Sequence, residues 1–124
     1  TLILAQELIK KIQYIHSRKI IHRDIKPDNF LIGLDSNDIY VIDFGLCKLN
    51  LDDEENTYSF CGSLEYMAPE VRNNIGYSYP VDFYTIGAFL YEMLIGIPPY
   101  YNNQPLYFPE KISRSAVSLI KGLI

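Results

Sequence analysis

The segment from Val81 to Ile95 constrains the fold most, because its residues are apolar almost all the way round a helix. A helix of this kind is stable in water only when other elements cover it on every side. The prolines in Gly96-Ile97-Pro98-Pro99 end it, because proline cannot continue a helix. We therefore predict a buried helix over about residues 81–96.

Two further helices are predicted from apolar residues that recur at spacings of three and four. The first runs from Leu2 to Ile15, where one side is apolar and the other carries lysine and glutamine. The second begins at Ser113 and continues toward the end of the chain. A short helix after Pro69 is also expected, since proline is well tolerated in a first helical turn.

A small β-hairpin is predicted in the first half of the chain. Residues 30–32 and 40–42 are short apolar runs, and the stretch 33–38 between them is rich in turn-forming residues. Together with the helices, this hairpin makes the predicted fold class mainly α with a small β-hairpin. The stretch 50–59 is polar and acidic, and we expect it to be an exposed loop.

Length and composition limit the chain to one domain or one lobe of a domain. Of 124 residues, 48% are apolar and 21% are charged, which is typical of a globular protein. The formal net charge of −4 favours neither nucleic acid nor an anionic membrane as a partner. Two cysteines, Cys47 and Cys61, are too few for a disulfide framework, so we expect a reducing compartment, cytoplasmic or nuclear.

Three motifs follow one another along the chain. The run His22-Arg23-Asp24-Ile25-Lys26-Pro27-Asp28-Asn29 is followed by Asp43-Phe44-Gly45 and then by Ala68-Pro69-Glu70. In order and spacing they resemble the catalytic loop (22–29), the metal-binding loop (43–45) and the end of the activation segment (43–70) of eukaryotic protein kinases. Each motif alone is a weak signal, but their combination is specific. The resemblance implies a partial protein kinase domain over residues 1–124, the C-terminal lobe of a fold that is α+β overall.

The resemblance also implies which residues carry the chemistry. Asp24 would orient the substrate hydroxyl or accept its proton, and Lys26 would reach the phosphoryl group that ATP donates. Asn29 and Asp43 would hold Mg²⁺. The predicted catalytic residues are thus Asp24, Lys26 and Asn29, and the predicted ATP-binding residues are Lys26, Asn29, Leu31 and Asp43.

A predicted regulatory group lies in and near the activation segment. Residues 59–70 resemble the activation segment of the cyclic-nucleotide and phospholipid-regulated kinase group. By this resemblance, an upstream kinase phosphorylates Ser59 and Arg23 pairs with the phosphate, while Ser63 bonds the catalytic carboxylate and lysine. Two neighbouring hydroxyl groups are alternative phosphate acceptors, those of Thr57 and Tyr58.

Five residues are expected to support the site rather than to act in it. By resemblance, His22 and Phe44 form a stacked pair, and Gly45 supplies the backbone freedom of a conformational switch. Asp82 would anchor the backbone of the catalytic loop. Glu70 would pair with an arginine that kinases carry farther along the lobe.

The resemblance is not uniform along the chain. Residues 1–49 are most similar to the casein kinase one family, notably over 21–34 and 40–46, whereas that family usually lacks the Ala-Pro-Glu found here. No glycine-rich loop, nucleotide-binding lysine or partner glutamate precedes Thr1, which is expected to be a cut end. Between Tyr101 and Phe108 a helix and loops usual in kinases are missing, through a natural deletion or an abnormal gene model.

The leading hypothesis is a serine/threonine kinase that transfers the γ-phosphoryl group of ATP to a protein, present here as an incomplete catalytic domain. The 124 residues alone are expected to be inactive, because they would hold the nucleotide from one side only. They are also expected to be marginally stable, because a lobe without its partner exposes apolar surface such as Leu31 and Ile32. A noncatalytic kinase-like module that binds a partner protein is the alternative. An unrelated helical interaction domain remains open only if the motif match is accidental.

Overall fold

The computed structural model describes residues 2–34, 38–52 and 55–124. Within these ranges the mainly α fold with a small hairpin is confirmed. The helices are α1 (Leu2–Ser17), α2 (Pro69–Arg72), α3 (Pro80–Ile95) and α4 (Arg114–Leu123), and the strands are β1 (Ile20–Ile21), β2 (Phe30–Ile32), β3 (Ile39–Val41) and β4 (Lys48–Leu49). Short 3₁₀ turns occur at Pro27–Asn29, Leu64–Tyr66 and Tyr101–Asn103.

Helix α3 forms the centre of the structure, as its apolar sequence requires. Its residues from Val81 to Tyr91 are largely buried, and its sides are covered by α1 and α4. Leu8 of α1, Leu90 of α3 and Ile120 of α4 belong to one core cluster and are at most 1% exposed. The amphipathic faces of α1 and α4 are therefore buried against this helix.

A second apolar cluster lies under the loops that carry the motifs. It contains Ile21, Leu51, Met67, Ala68, Val71, Tyr77 and Val81. These residues come from β1, from the loop after β4 and from the segment that leads into α3. The predicted catalytic loop is therefore packed against both clusters, because Ile21 before it belongs to the second and Ile25 within it belongs to the first.

Two antiparallel strand pairs hold the first two motifs. The hairpin pairs β2 with β3, with Phe30 opposite Val41 and Ile32 opposite Ile39. A second pair joins β1 to β4, with Ile20 opposite Leu49. Residues 22–29 run from β1 to β2, and residues 42–47 run from β3 to β4, so each motif loop has a strand at both ends.

The element boundaries differ slightly from the predictions. The second hairpin strand is Ile39–Val41 rather than 40–42, and helix α3 begins at Pro80. Helix α4 begins at Arg114, because the hydroxyl of Ser113 accepts a hydrogen bond from the amide of Ala116 and caps the helix. Parts of the predicted hairpin turn (35–37) and of the acidic loop (53–54) lie outside the described residues. In the described part of the chain, no helix is long and apolar enough to cross a membrane.

Candidate active site

Asp82 connects the 22–29 loop to the central helix. Its side chain is fully buried in the first turn of α3 and accepts backbone hydrogen bonds from His22 N and Arg23 N, both at 2.8 Å. The Nε2 atom of His16, on α1, lies 2.8 Å from the same carboxylate. These partners compensate the cost of burying a charged group, and the helix N-terminus adds a favourable field. The loop is thereby bound to α3 and α1.

The backbone of this loop is strained where it meets Asp82. Arg23 has a φ of 68°, in the left-handed region that residues other than glycine seldom adopt. Such a conformation persists only where the surroundings impose it, and here the Arg23 amide is held by Asp82. The carboxylate of Asp24 follows directly after this fixed point.

Asp24 lies at the centre of a polar network. Its Oδ1 atom accepts hydrogen bonds from the hydroxyl of Ser63 at 2.9 Å and from the amide of Ser63 at 3.1 Å. Its Oδ2 atom lies 3.0 Å from Lys26 Nζ and accepts a 3.0 Å hydrogen bond from Asn29 Nδ2. The structure therefore brings the three predicted catalytic residues and Ser63 together.

The network keeps the carboxyl group of Asp24 ionised. Burial raises the pKa of Asp24, but the hydrogen bonds from Lys26 and Ser63, the charge of Lys26 and the Asn29 amide outweigh this effect. The pKa is thus held below its ordinary value. An ionised carboxylate can only accept hydrogen bonds, which is the property needed to orient a hydroxyl group.

Asn29 and Asp43 carry the oxygen atoms that fit Mg²⁺. The amide nitrogen of Asn29 is occupied by Asp24, which leaves its side-chain oxygen as an acceptor. The Asn29 carbonyl accepts a 2.9 Å hydrogen bond from Ile42 N, so the residue next to Asp43 is bound to Asn29. Asp43 is exposed, and its Oδ1 accepts from Gly45 N at 3.0 Å.

These two residues fit a magnesium site that substrate completes. Mg²⁺ is commonly held by one or two protein carboxylates together with phosphate oxygens and water. No group of three His, Cys, Asp or Glu side chains suitable for enclosing a metal occurs among the described residues. Asn29 and Asp43 offer one amide oxygen and one carboxylate, a ligand set that Mg²⁺ accepts when phosphate oxygens and water complete its coordination.

The His22 and Phe44 rings are in contact, but they are not stacked as expected. Their centroids lie 5.2 Å apart and their planes are inclined by 60°, an edge-to-face contact. Such a geometry is favoured because the positive edge of one ring meets the negative face of the other. Burial lowers the pKa of His22, with nearby carboxylates opposing this effect, so the imidazole is neutral near pH 7.

The predicted regulatory residues are linked through a tyrosine that the motifs do not include. Ser59 is exposed, and its carbonyl accepts a 2.6 Å hydrogen bond from the hydroxyl of Tyr77. The same hydroxyl lies 3.4 Å from Arg23 Nη1, and Arg23 Nε donates to the carbonyl of Leu46 at 2.6 Å. Arg23 and Ser59 thus share one phenol in the unphosphorylated protein.

Three predicted site residues lie at the margin of the network. Leu31, on β2, has 54% of its surface exposed and offers an apolar surface beside the loop. Glu70 is half-buried at the start of α2, and its carbonyl accepts a 2.8 Å hydrogen bond from the amide of Ile75. Within the described ranges its carboxylate makes no hydrogen bond or ion pair. Gly45 binds Asp43 through its amide.

Sequence reasoning missed three contributors to this site. His16 lies on the apolar face of α1, four residues after Ile12, and a polar residue at that position was the available signal. Tyr66 donates a hydrogen bond to Glu92 of α3, which ties the segment after Ser63 to the central helix. No local pattern identifies Tyr66 or Tyr77, since both act through distant partners.

Comparison with known proteins shows the family of this chain. The profile described as protein kinase domain matches residues 3–123. The chain belongs to the protein kinase domain family. It is similar to the serine/threonine-protein kinase YPK1 of Saccharomyces cerevisiae, with 41% identity over 95% of this chain and 19% of that protein.

Two further relatives show the same degree of similarity. The serine/threonine-protein kinase Sgk1 of Homo sapiens is 40% identical over 97% of this chain and 30% of its own length. The serine/threonine-protein kinase gad8 of Schizosaccharomyces pombe is 40% identical over 95% of this chain and 22% of its own length. The kinase chain described here thus spans between a fifth and a third of these relatives. The alignments run over 129 or 131 residues, so the relatives carry residues that this 124-residue chain lacks.

Proposed function

We propose that the protein containing this chain is a serine/threonine kinase that transfers the γ-phosphoryl group of ATP to a hydroxyl group of a protein. The observation that carries the proposal is the Asp24 carboxylate, which is buried, ionised and surrounded by Lys26, Asn29 and Ser63. Phosphoryl transfer needs an oriented nucleophile and neutralised phosphate charge, and these groups supply both.

Asp24 is proposed to hold the substrate hydroxyl and to take its proton as the new phosphorus–oxygen bond forms. In the structure its two oxygens already accept four hydrogen-bonding or ionic contacts, from Lys26, Asn29 and Ser63. A carboxylate offers about four acceptor directions, so one contact must yield to the substrate. Lys26 is the candidate, because a phosphate group competes for its ammonium.

The remaining proposed roles follow from the same contacts. Lys26 would leave Asp24 for the transferred phosphate, while its Nζ stays near Ser63 Oγ, now 2.9 Å away. Asn29 and Asp43 would hold Mg²⁺, which neutralises phosphate charge when bound. Leu31 would contact the nucleotide from its exposed apolar side.

Several finer assignments also remain proposals. Phosphorylation of Ser59 by an upstream kinase is supported by its exposure and by its link to Arg23 through Tyr77. Likeness of residues 59–70 to the cyclic-nucleotide and phospholipid-regulated group, and of residues 1–49 to casein kinase one, rests on sequence motifs. A cytoplasmic or nuclear location is proposed from the cysteine content.

The test uses the full natural protein and a serine-containing protein substrate with ATP and Mg²⁺. Asp24→Asn removes the proton acceptor, and we expect kcat to fall by about 10²- to 10⁴-fold. Asp52→Asn is the control, because its side chain is 65% exposed and its ion pair with Lys19 lies on the surface. An Asp24→Asn protein that transfers phosphate at the normal rate would refute the mechanism. If neither the unmodified protein nor the Asp52→Asn control transferred phosphate, a noncatalytic module would be favoured.

A further inference from the structure

Tyr77 places a buried phenol between the predicted activation segment and the catalytic loop. It lies between α2 and α3 and is only 3% exposed. Its hydroxyl donates a 2.6 Å hydrogen bond to the carbonyl of Ser59 and accepts a longer one, at 3.4 Å, from Arg23 Nη1. One side chain thus touches both the segment around Ser59 and the residue that precedes Asp24.

The backbone of Tyr77 holds the same segment at Thr57, two residues before Ser59. Thr57 N donates to Tyr77 O at 2.8 Å, and Tyr77 N donates to Thr57 O at 3.0 Å, an isolated antiparallel bridge. The Sγ atom of Cys61 lies 3.8 Å from the hydroxyl. Burial raises the pKa of Tyr77, with the Arg23 hydrogen bond opposing the rise. The hydroxyl therefore stays protonated near neutral pH and donates a hydrogen bond to the carbonyl of Ser59.

The segment is fixed again a few residues later, at the catalytic carboxylate. Gly62 has a φ of +105°, and a Cβ atom at this position would lie 2.5 Å from the carbonyl oxygen of Arg23. Ser63 then binds Asp24 through its amide and its hydroxyl. Residues 59–63 are therefore held at one end by Tyr77 and at the other by Asp24, with a close backbone approach between them.

We propose that Tyr77 is a positioning residue for phosphoryl transfer, whose hydroxyl holds residues 59–63 against Arg23 and thereby keeps Ser63 on the Asp24 carboxylate. The inference rests on the proposed kinase function, since it concerns the same site. The hydroxyl bonds Ser59 and Arg23 rather than the carboxylate, so it acts through them. Without it, the Ser59 end is held only through the backbone bridge between Thr57 and Tyr77, and Ser63 leaves Asp24 for part of the time.

Tyr77→Phe is the direct test, because it removes the hydroxyl and retains the ring. Tyr91→Phe is a matched control: Tyr91 is also 3% exposed, and its hydroxyl makes two hydrogen bonds, to the carbonyl and amide of Tyr107. Tyr91 lies in α3, and the partner of its hydroxyl, Tyr107, belongs neither to the 22–29 loop nor to residues 59–63. The two variants therefore lose the same chemical group, and only one loses a contact to the site.

In the full protein we expect Tyr77→Phe to lower kcat by about tenfold, because the hydrogen bonds to the Ser59 carbonyl and from Arg23 are both lost. The KM for ATP should change less than about twofold. Tyr91→Phe should leave both constants within about twofold. If Tyr77 were only structural, both variants would change stability, and Tyr77→Phe would not lower kcat selectively relative to KM. Equal kcat values for Tyr77→Phe and the unmodified protein would overturn the proposal.

A second measurement does not depend on catalysis. Hydrogen exchange followed by mass spectrometry should show the amide of Ser63, which donates to Asp24 at 3.1 Å, exchanging about tenfold faster in Tyr77→Phe than in Tyr91→Phe. Unchanged exchange refutes the positioning role even if kinase activity is present. Normal phosphate transfer by Asp24→Asn, by contrast, refutes the proposed mechanism but does not affect the hydrogen-exchange result. A failure of the kinase mechanism can therefore be told apart from a failure of the positioning role of Tyr77.

Discussion

Asp82→Asn tests the anchor that joins the 22–29 loop to the central helix. The substitution keeps the size of the side chain but replaces one carboxylate oxygen with the NH2 group of an amide. Oδ2 accepts from His16 and His22, and Oδ1 accepts from Arg23. Asparagine can present its single oxygen to His16 and His22, and its amino group then faces the Arg23 amide, which is also a donor.

The cost follows from these contacts. A buried amide left without an acceptor costs about 1–3 kcal/mol, and each of the other two hydrogen bonds weakens by about 1 kcal/mol when its acceptor loses its charge. Asp82 is fully buried, so water cannot compensate. We expect a total loss of about 3–5 kcal/mol, within the range found when one member of a buried ionic network is removed.

The assay is hydrogen exchange of the full protein under conditions in which exchange reports the opening equilibrium. Amides of His22 and Arg23 should lose protection by between about one hundred- and several thousandfold, at about tenfold per 1.4 kcal/mol. Asp52→Asn, on the surface, should change protection by less than about fivefold, because exposed ion pairs contribute at most about 1 kcal/mol. A loss below about tenfold in Asp82→Asn would refute the view that the buried carboxylate holds the loop.

Two further predictions concern stability and thiol chemistry. Gly62→Ala should destabilise the protein by more than about 1 kcal/mol in thermal unfolding, since its Cβ would meet the Arg23 carbonyl at a positive φ. Gly122→Ala, where nothing lies within 4 Å of the added Cβ, should instead stabilise α4 by up to about 1 kcal/mol. Equal stability changes in the two variants would contradict this geometry. Burial raises the pKa of Cys47 to about 11, so its thiol stays protonated at pH 8. Alkylation of Cys47 by iodoacetamide should therefore be at least about tenfold slower than in the denatured protein. The alkylation rate should increase as the pH rises toward 11. Equal alkylation rates in the folded and denatured states at pH 8 would show that Cys47 is not protected.

The helices and the hairpin could be predicted because each follows from a local pattern. Periodicity indicated α1 and α4, an apolar run ended by prolines indicated α3, and turn residues between apolar runs indicated the hairpin. The pairing of β1 with β4 could not be predicted. Each strand has only two residues, and they lie far apart in the chain, so no alternation or shared turn signals the pair.

The candidate site shows the same division. The residues of the 22–29 loop could be nominated from their motif, because types and spacing are visible in the sequence. The contribution of His16 and Tyr77 could not be predicted, since each joins elements that meet only in the folded protein. The edge-to-face contact of His22 and Phe44 likewise depends on packing, which sets the angle between the rings.

The sequence by itself determined the membership of the chain in the protein kinase domain family and the chemical groups that the site offers, because both depend on residue types at fixed spacings. Only the tertiary structure decided how these groups are held. His16 of α1 shares the Asp82 carboxylate with the loop, Tyr66 ties the segment after Ser63 to Glu92 of α3, and Tyr77 joins Ser59 to Arg23. The physical reason is that hydrogen bonds act over about 3 Å, so their partners are defined by folded geometry rather than by position in the chain.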